Sequence, residues 1–225
     1  MTVKDTVRNI VEDKVKWVYS AQSNQELADR YDKWAKDYDY DLQEISGYLG
    51  PHQVARVVTQ YLSPKARILD AGAGTGLVGE ALHQAGYRHI EGLDLSTGML
   101  EKAAQKQVYT ALHQKVLGSP LGFSANLFDG IVSVGVLTYG HAPSHCLDEL
   151  IHITKPGGYI IFPLIPAFYE SSDFKPYMLA LEAADKWSLI SLGSSIKPLP
   201  KLEPELDYQI RVYQVQPTKS AVGHC

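Results

Sequence analysis

ILDAGAGTGLVGEAL, residues 68 to 82, passes from a short apolar run through three alternate glycines into an amphipathic helical pattern. The run ARILD (66 to 70) reads as a strand ending on Asp70, and Leu77, Val78, Ala81, Leu82 and Ala85 recur at helical spacing after it. Between them stand Gly72, Gly74 and Gly76. Alternate glycines let a backbone turn sharply off a strand and let a ligand approach where any Cβ would collide. The loop is therefore read as a ligand cradle.

Outward from this stretch, strands and helices alternate. IEGLDL (90 to 95) is a second strand; Met99, Leu100, Ala103 and Ala104 share a helix face; YTALHQKV (109 to 116) and FDGIVSV (128 to 134) read as strands. A helix near 144 to 154 and the strand GGYIIF (157 to 162) follow, with Lys155-Pro156 as the turn between them. Such alternation implies an α/β fold, a doubly wound and mostly parallel sheet that binds ligands at the carboxyl ends of its strands. Beyond Phe162 a helix at about 173 to 186 precedes WSLISLGSSI and DYQIRVYQV, an expected antiparallel pair. Residues 1 to 62 are helical in character and form a cap or lid, 63 to 215 form the core, and 216 to 225 form a frayed tail.

Composition narrows the function. The 225 residues are 45% hydrophobic with a net charge of −4, enough for a sizeable core and without the basic stripe that follows a phosphate backbone. Nucleic-acid binding is disfavoured. Cys146 and Cys225 are too few for a disulfide framework or a zinc cluster. With a charged N-terminal stretch and no window near the roughly 18 apolar residues of a spanning helix, the expectation is a cytosolic protein with no membrane partner.

Two ligands compete for the glycine loop. Gly74-x-Gly76-x-x-Gly79 matches the dinucleotide fingerprint, and Asp94 closes the next strand 20 residues after Gly74, where a ribose-binding acid stands. Against this, the first glycine of that fingerprint lies four residues past Asp70, and an acid there would face a pyrophosphate. A cofactor with a cationic amine beside a ribose, and no phosphate, suits Asp70 and Asp94 better.

These residues resemble a known family. D-A-G-A-G-T-G followed by the acid of G-L-D-L is similar to the first motifs of class I S-adenosylmethionine-dependent methyltransferases, and L-F-D-G-I-V-S-V and I-T-K-P-G-G-Y-I-I-F resemble their fourth and fifth strands. YDKWAKDYD and LDLSTGMLE resemble the methyltransferase-like 27 group of the Williams–Beuren chromosomal region. The resemblance implies a Rossmann-like, seven-stranded sheet whose last strand runs antiparallel and S-adenosyl-L-methionine as cofactor; the expected function is methyl transfer to a small or medium organic acceptor by in-line displacement. A sensor of the cofactor or its product, without catalysis, is the alternative. Fold alone names no substrate, and nothing in the chain sets the oligomeric state.

The expected cofactor contacts are Asp70, Gly72, Gly74, Gly76, Asp94, Leu95, Met99, Val116, Leu117 and Val134. Many class I enzymes carry an Asp after strand three for the adenine amine; Val116 stands there, so backbone groups of Val116 to Gly118 and apolar walls take its place. In YDKWAKDYDYDL (31 to 42), Tyr31, Trp34, Tyr38, Leu42 and Ile45 form one face of a helix or of two joined helical turns, while Asp29, Asp32, Lys33, Lys36 and Asp37 lie off it. Mixed charges on the polar face argue against a membrane-surface helix. In related methyltransferases such a segment folds over the cofactor, which makes Tyr31 and Tyr38 cofactor contacts and the segment a lid. Tyr139 and His141 are the catalytic candidates for contacting or deprotonating an acceptor. His141 and His145 have i, i+4 spacing, but Pro143 interrupts them and no carboxylate falls between, so no metal is expected.

Overall fold

Ile68, Leu69 and Ala71 are wholly buried in strand β1 (Arg67–Ala71), as a continuous apolar run between two helical layers requires. In the computed structural model, which describes residues 3–217, β1 is joined by β2 (His89–Asp94), β3 (Ala111–Gln114), β4 (Phe128–Val132), β5 (Thr154–Leu164), β6 (Trp187–Ile196) and β7 (Tyr208–Val215). They make one sheet in the order β3-β2-β1-β4-β5-β7-β6. The first five strands pair in parallel, and β7 runs antiparallel to both β5 and β6. Strand order reverses beside β1, where Asp70 faces Gly92 of β2 on one side and Val132 of β4 on the other. A ligand crevice belongs at that reversal.

Helices cover both faces. On one, α4 (Gly50–Tyr61) and α5 (Leu77–Gln84) press Val54, Val58, Val78 and Leu82 onto Ile68, Ile90 and Val132. On the other, α7 (Cys146–Ile153) and α9 (Phe174–Ala183) press Leu147, Leu150 and Met178 onto Leu69, Ile131, Phe162 and Trp187. Between β2 and β3, α6 (Thr97–Gln105) turns Met99 and Ala103 inward. Several expected boundaries shift. The Lys155-Pro156 turn lies inside β5 as an irregularity between the pairs Phe128–Thr154 and Gly130–Tyr159. Ahead of the helix expected at about 173 to 186, a short α8 (Pro166–Ser171) forms, with Pro166 in its first turn, where its missing N–H costs nothing. The edge strand β3 keeps only four residues of YTALHQKV. Gln216 N–H still bonds the Lys186 carbonyl at 3.0 Å; of the tail expected to fray, residues 218–225 lie outside the described residues.

The N-terminal elements form a third cluster. The aromatic stripe spans α2 (Asn24–Trp34), α3 (Tyr38–Tyr40) and a π-helical turn at Asp41–Ser46, which Gly47 ends with φ +68°. Its residues still converge: Trp34 and Leu42 pack with Leu27, with Val11 and Val18 of α1 (Val3–Tyr19), and with Leu199 and Leu202 from the β6–β7 connection. The bend between α2 and α3 is pinned by buried Asp41, which accepts from Trp34 Nε1 at 2.7 Å and from Lys14 Nζ at 2.6 Å. No helix among the described residues is long and apolar enough to cross a membrane.

Two acids fasten this cap to the core. Asp32 Oδ1 accepts from Ser96 Oγ at 2.5 Å and from Gly98 N at 2.8 Å, so it serves the open N-terminus of α6. Asp39 accepts from Thr75 Oγ1 in the glycine loop and from Lys106 Nζ at 2.8 Å. Asp32 lies off the aromatic stripe, as expected, and is exposed, yet its carboxylate reaches the core. Asp32→Ala is expected to cost about 1 kcal/mol, the worth of a helix-capping side chain, and to speed amide exchange across residues 24 to 40 more than across α4. Unchanged exchange in α2 would show that Asp32 does not hold the cap.

Candidate active site

Strand β1 ends in a loop whose shape depends on its glycines. Gly72 and Ala73 both donate to the Leu93 carbonyl at 2.8 Å, which ties the loop to β2. Gly72 has φ +88°, and a Cβ there would stand 2.1 Å from Val136 Cγ2. Gly74 has φ +53°, and a Cβ there would enter open space. Gly74 lines a cleft together with Asp94, Leu95, Met99, Val134 and His141.

Asp94 lines the cleft beneath Gly74. Its Oδ2 accepts from Gly74 N at 2.8 Å and its Oδ1 from Ser96 N at 2.9 Å, so one carboxylate joins the glycine loop to the start of α6. Burial raises its pKa, and the N–H groups of Ser96 and Gly74 act against that rise. A carboxylate has about four lone-pair sites, so two backbone bonds leave it free to accept from ligand hydroxyls.

One end of the cleft is apolar, walled by Leu95, Met99, Val116 and Leu117. The adjoining turn is held by His145, whose Nε2 donates to the Gly118 carbonyl at 3.1 Å. At the other end, Val134 and Gly135 lead from β4 to His141, with Tyr31 and Tyr38 arriving from the cap. The tautomer of His141 follows from its partners. Its Nδ1 lies 2.8 Å from the Tyr139 carbonyl, which can only accept, so Nδ1 carries the hydrogen and Nε2 accepts from Tyr31 Oη at 2.7 Å. Burial lowers the pKa of this histidine despite the Tyr139 carbonyl.

Three expected site residues do not line the cleft. Asp70 is fully buried; its Oδ2 accepts from Tyr109 Oη at 2.7 Å, and that hydroxyl accepts from Gly79 N at 3.2 Å. It braces the loop from behind, and its Oδ1 has no partner. Gly76 ends the loop with φ +93° and a missing Cβ that Tyr109, Ala103 and Lys106 would meet. Gly79, third glycine of the dinucleotide pattern, makes room for the Tyr109 ring, which a Cβ would approach to 2.3 Å. Tyr139 is 47% exposed, with its ring edge-on to Phe168 at 4.7 Å, and its carbonyl is the part that meets His141. Asn24, Leu27, Lys115 and Ala142 also line the cleft; they were not foreseen, because lone apolar or polar residues in a helix or loop carry no pattern. No cluster of metal-binding side chains occurs among the described residues.

Comparison with known proteins gives the family. Residues 69–162 match the family described as "Methyltransferase domain". The demethylmenaquinone methyltransferase of Corynebacterium urealyticum is 31% identical over 83% of this chain and 84% of its own. The chain belongs to the class I S-adenosylmethionine-dependent methyltransferases. Human methyltransferase-like protein 27 is 40% identical, over 58% of this chain and 54% of that protein. Among solved structures, the [4+2]-cyclase SpnF shares the fold with a TM-score of 0.71 at 14% identity, covering 88% of this chain and 98% of its own.

The cleft suits the cofactor of this methyltransferase family. Asp94 offers lone pairs to ribose hydroxyls, Leu95 and Met99 offer an apolar wall for adenine, and the Cβ-free space at Gly74 admits a ligand against the backbone.

Two measurements bear on this geometry. The folded pKa of Asp70 is raised by burial from 3.8 to about 7. The fold therefore favours its protonated form, and that contribution, complete below pH 4, is lost as pH rises through 7. Asp70→Asn should gain roughly 2 kcal/mol relative to wild type between pH 5 and pH 8, read from denaturant midpoints; parallel pH profiles would refute the buried, Tyr109-bonded carboxylate. For His141, long-range proton–nitrogen spectra should show the Nδ1–H tautomer, protonating below the usual 6.5. An Nε2–H signal would break the assigned Tyr31 bond.

Proposed function

We propose that this methyltransferase carries a methyl group from S-adenosylmethionine to a small or medium organic acceptor. The observation that carries the reading is one continuous cleft that joins Asp94 and the open loop at Gly74 to His141 and the two cap tyrosines. The name of the demethylmenaquinone methyltransferase relative supports an acceptor of that size.

When bound, the cofactor supplies a methyl group on a sulfonium, whose charge disappears in an in-line displacement. Much of the catalysis then consists of alignment and exclusion of water. Asp94 fixes a ribose against the loop, and Leu95, Met99, Val116 and Leu117 hold the base. Tyr31 and Tyr38 close the cleft from above, and burial keeps both phenols protonated at neutral pH. The neutral Nε2 of His141, reached through the Tyr31 hydroxyl, is placed to receive a proton from an acceptor that must lose one.

Asp94→Ala is expected to weaken S-adenosylmethionine binding by about 1.5 to 3 kcal/mol, the loss of charge-assisted hydrogen bonds, in a calorimetric titration run beside a thermal melt. A folded variant that binds within threefold of wild type would remove Asp94 from the ribose and the cleft from this role.

A further inference from the structure

The His141 end of the cleft is built from phenols. Beside Tyr31 and Tyr38, the Tyr48 hydroxyl lies 3.6 Å from the place of a Cβ on Gly135, a residue of the cleft wall. Tyr19 meets the His141 ring edge-on at 4.8 Å, and Tyr31 meets it at 5.8 Å. The leading charged influences on these phenols are acids: Asp94 on Tyr31 and Tyr38, Asp39 on Tyr38, Asp70 on Tyr48 and Glu203 on Tyr19. Lys115 is the one lysine or arginine in the described cleft wall, with Nζ 3.9 Å from the place of a Cβ on Gly122.

An anionic acceptor beside these phenols would be buried near Asp94, with Lys115 the one basic side chain in the described cleft wall. A cation would meet ring faces, phenol oxygens and negative potential. We propose that the methyl acceptor is a small amine, admitted as its ammonium by the phenols of Tyr31, Tyr38 and Tyr48 and deprotonated through Tyr31 by His141.

The inference rests on the methyltransferase reading and deepens it. The ammonium gives one proton to Tyr31 Oη while the Tyr31 hydroxyl proton passes to His141 Nε2. The freed nitrogen lone pair forms the N–CH₃ bond as the S–CH₃ bond breaks, its electron pair staying on sulfur. Products are an N-methylammonium, a neutral thioether and an imidazolium that then loses its proton to water. Two positive charges stand on each side. An alcohol or thiol acceptor would use the same base but would gain nothing from the acidic surroundings.

The test uses three probes with one aryl body: 2-phenylethylamine, 2-phenylethanol and phenylacetate. Each is titrated calorimetrically at pH 7 into the full chain saturated with S-adenosylhomocysteine. The amine is expected to bind at least tenfold tighter than the alcohol, with no detectable heat from phenylacetate. Equal binding of amine and alcohol, tighter binding of phenylacetate, or binding by none overturns the amine assignment while leaving the cofactor site standing. Failure of S-adenosylhomocysteine itself to bind, seen in the first titration, overturns the methyltransferase reading and this one together.

Discussion

The carboxylate of Asp94 sits where three parts of the molecule have to agree. It bonds the Gly74 amide in the first loop and the Ser96 amide at the start of α6, and it faces the cleft. Because the glycine loop is also tied to the Leu93 carbonyl, β1 and β2 cannot shift against each other without breaking bonds in a buried, low-dielectric setting, where each is costly to lose. The ligand site is thus a consequence of how two adjacent parallel strands are joined. The cap is fastened to the same two places: Asp32 holds Ser96 and Gly98, and Asp39 holds Thr75 and Lys106.

Much of this was legible in the sequence because it rests on local chemistry. A strand that ends in alternate glycines has few backbone solutions, and positive φ at Gly72, Gly74 and Gly76 is the conformation that glycine permits. Asp94 could be placed because the βαβ spacing puts an acid at the end of the next strand. Met99, Val116 and Leu117 were expected from the family resemblance, and all three line the cleft. A seven-stranded sheet with an antiparallel last strand was expected from the same resemblance, and the sheet has both.

What could not be read depended on partners far along the chain. Asp70 has the sequence position of a ligand acid, yet Tyr109, thirty-nine residues on, takes its carboxylate, and only the packing of β3 beside β2 brings that phenol near. Tyr139 and His141 looked alike as polar residues after strand four. Phe168 on α8 draws the Tyr139 ring outward, leaving its carbonyl to orient the histidine. The same holds for the acids of the cap: an aspartate off an apolar stripe looks solvated until the helix it caps is known.

The alternation in YDKWAKDYDYDL therefore has a division of labour. Tyr31 and Tyr38 face the cleft, Asp32 and Asp39 grip its two lips, and Asp41 pins the bend by which α2 gives way to α3. The acids bind the very loops that line the cleft, so the anchors of the cap and the shape of the site rest on the same residues. A ligand that orders the glycine loop and the first turn of α6 would order these anchors too, and by linkage the anchors would favour the ligand by the same factor. A helix held only by its aromatic face would lack this coupling, since its hydrophobic contacts with Leu199 and Leu202 do not touch the cleft loops. The acids fasten the cap to the loops of the cleft itself.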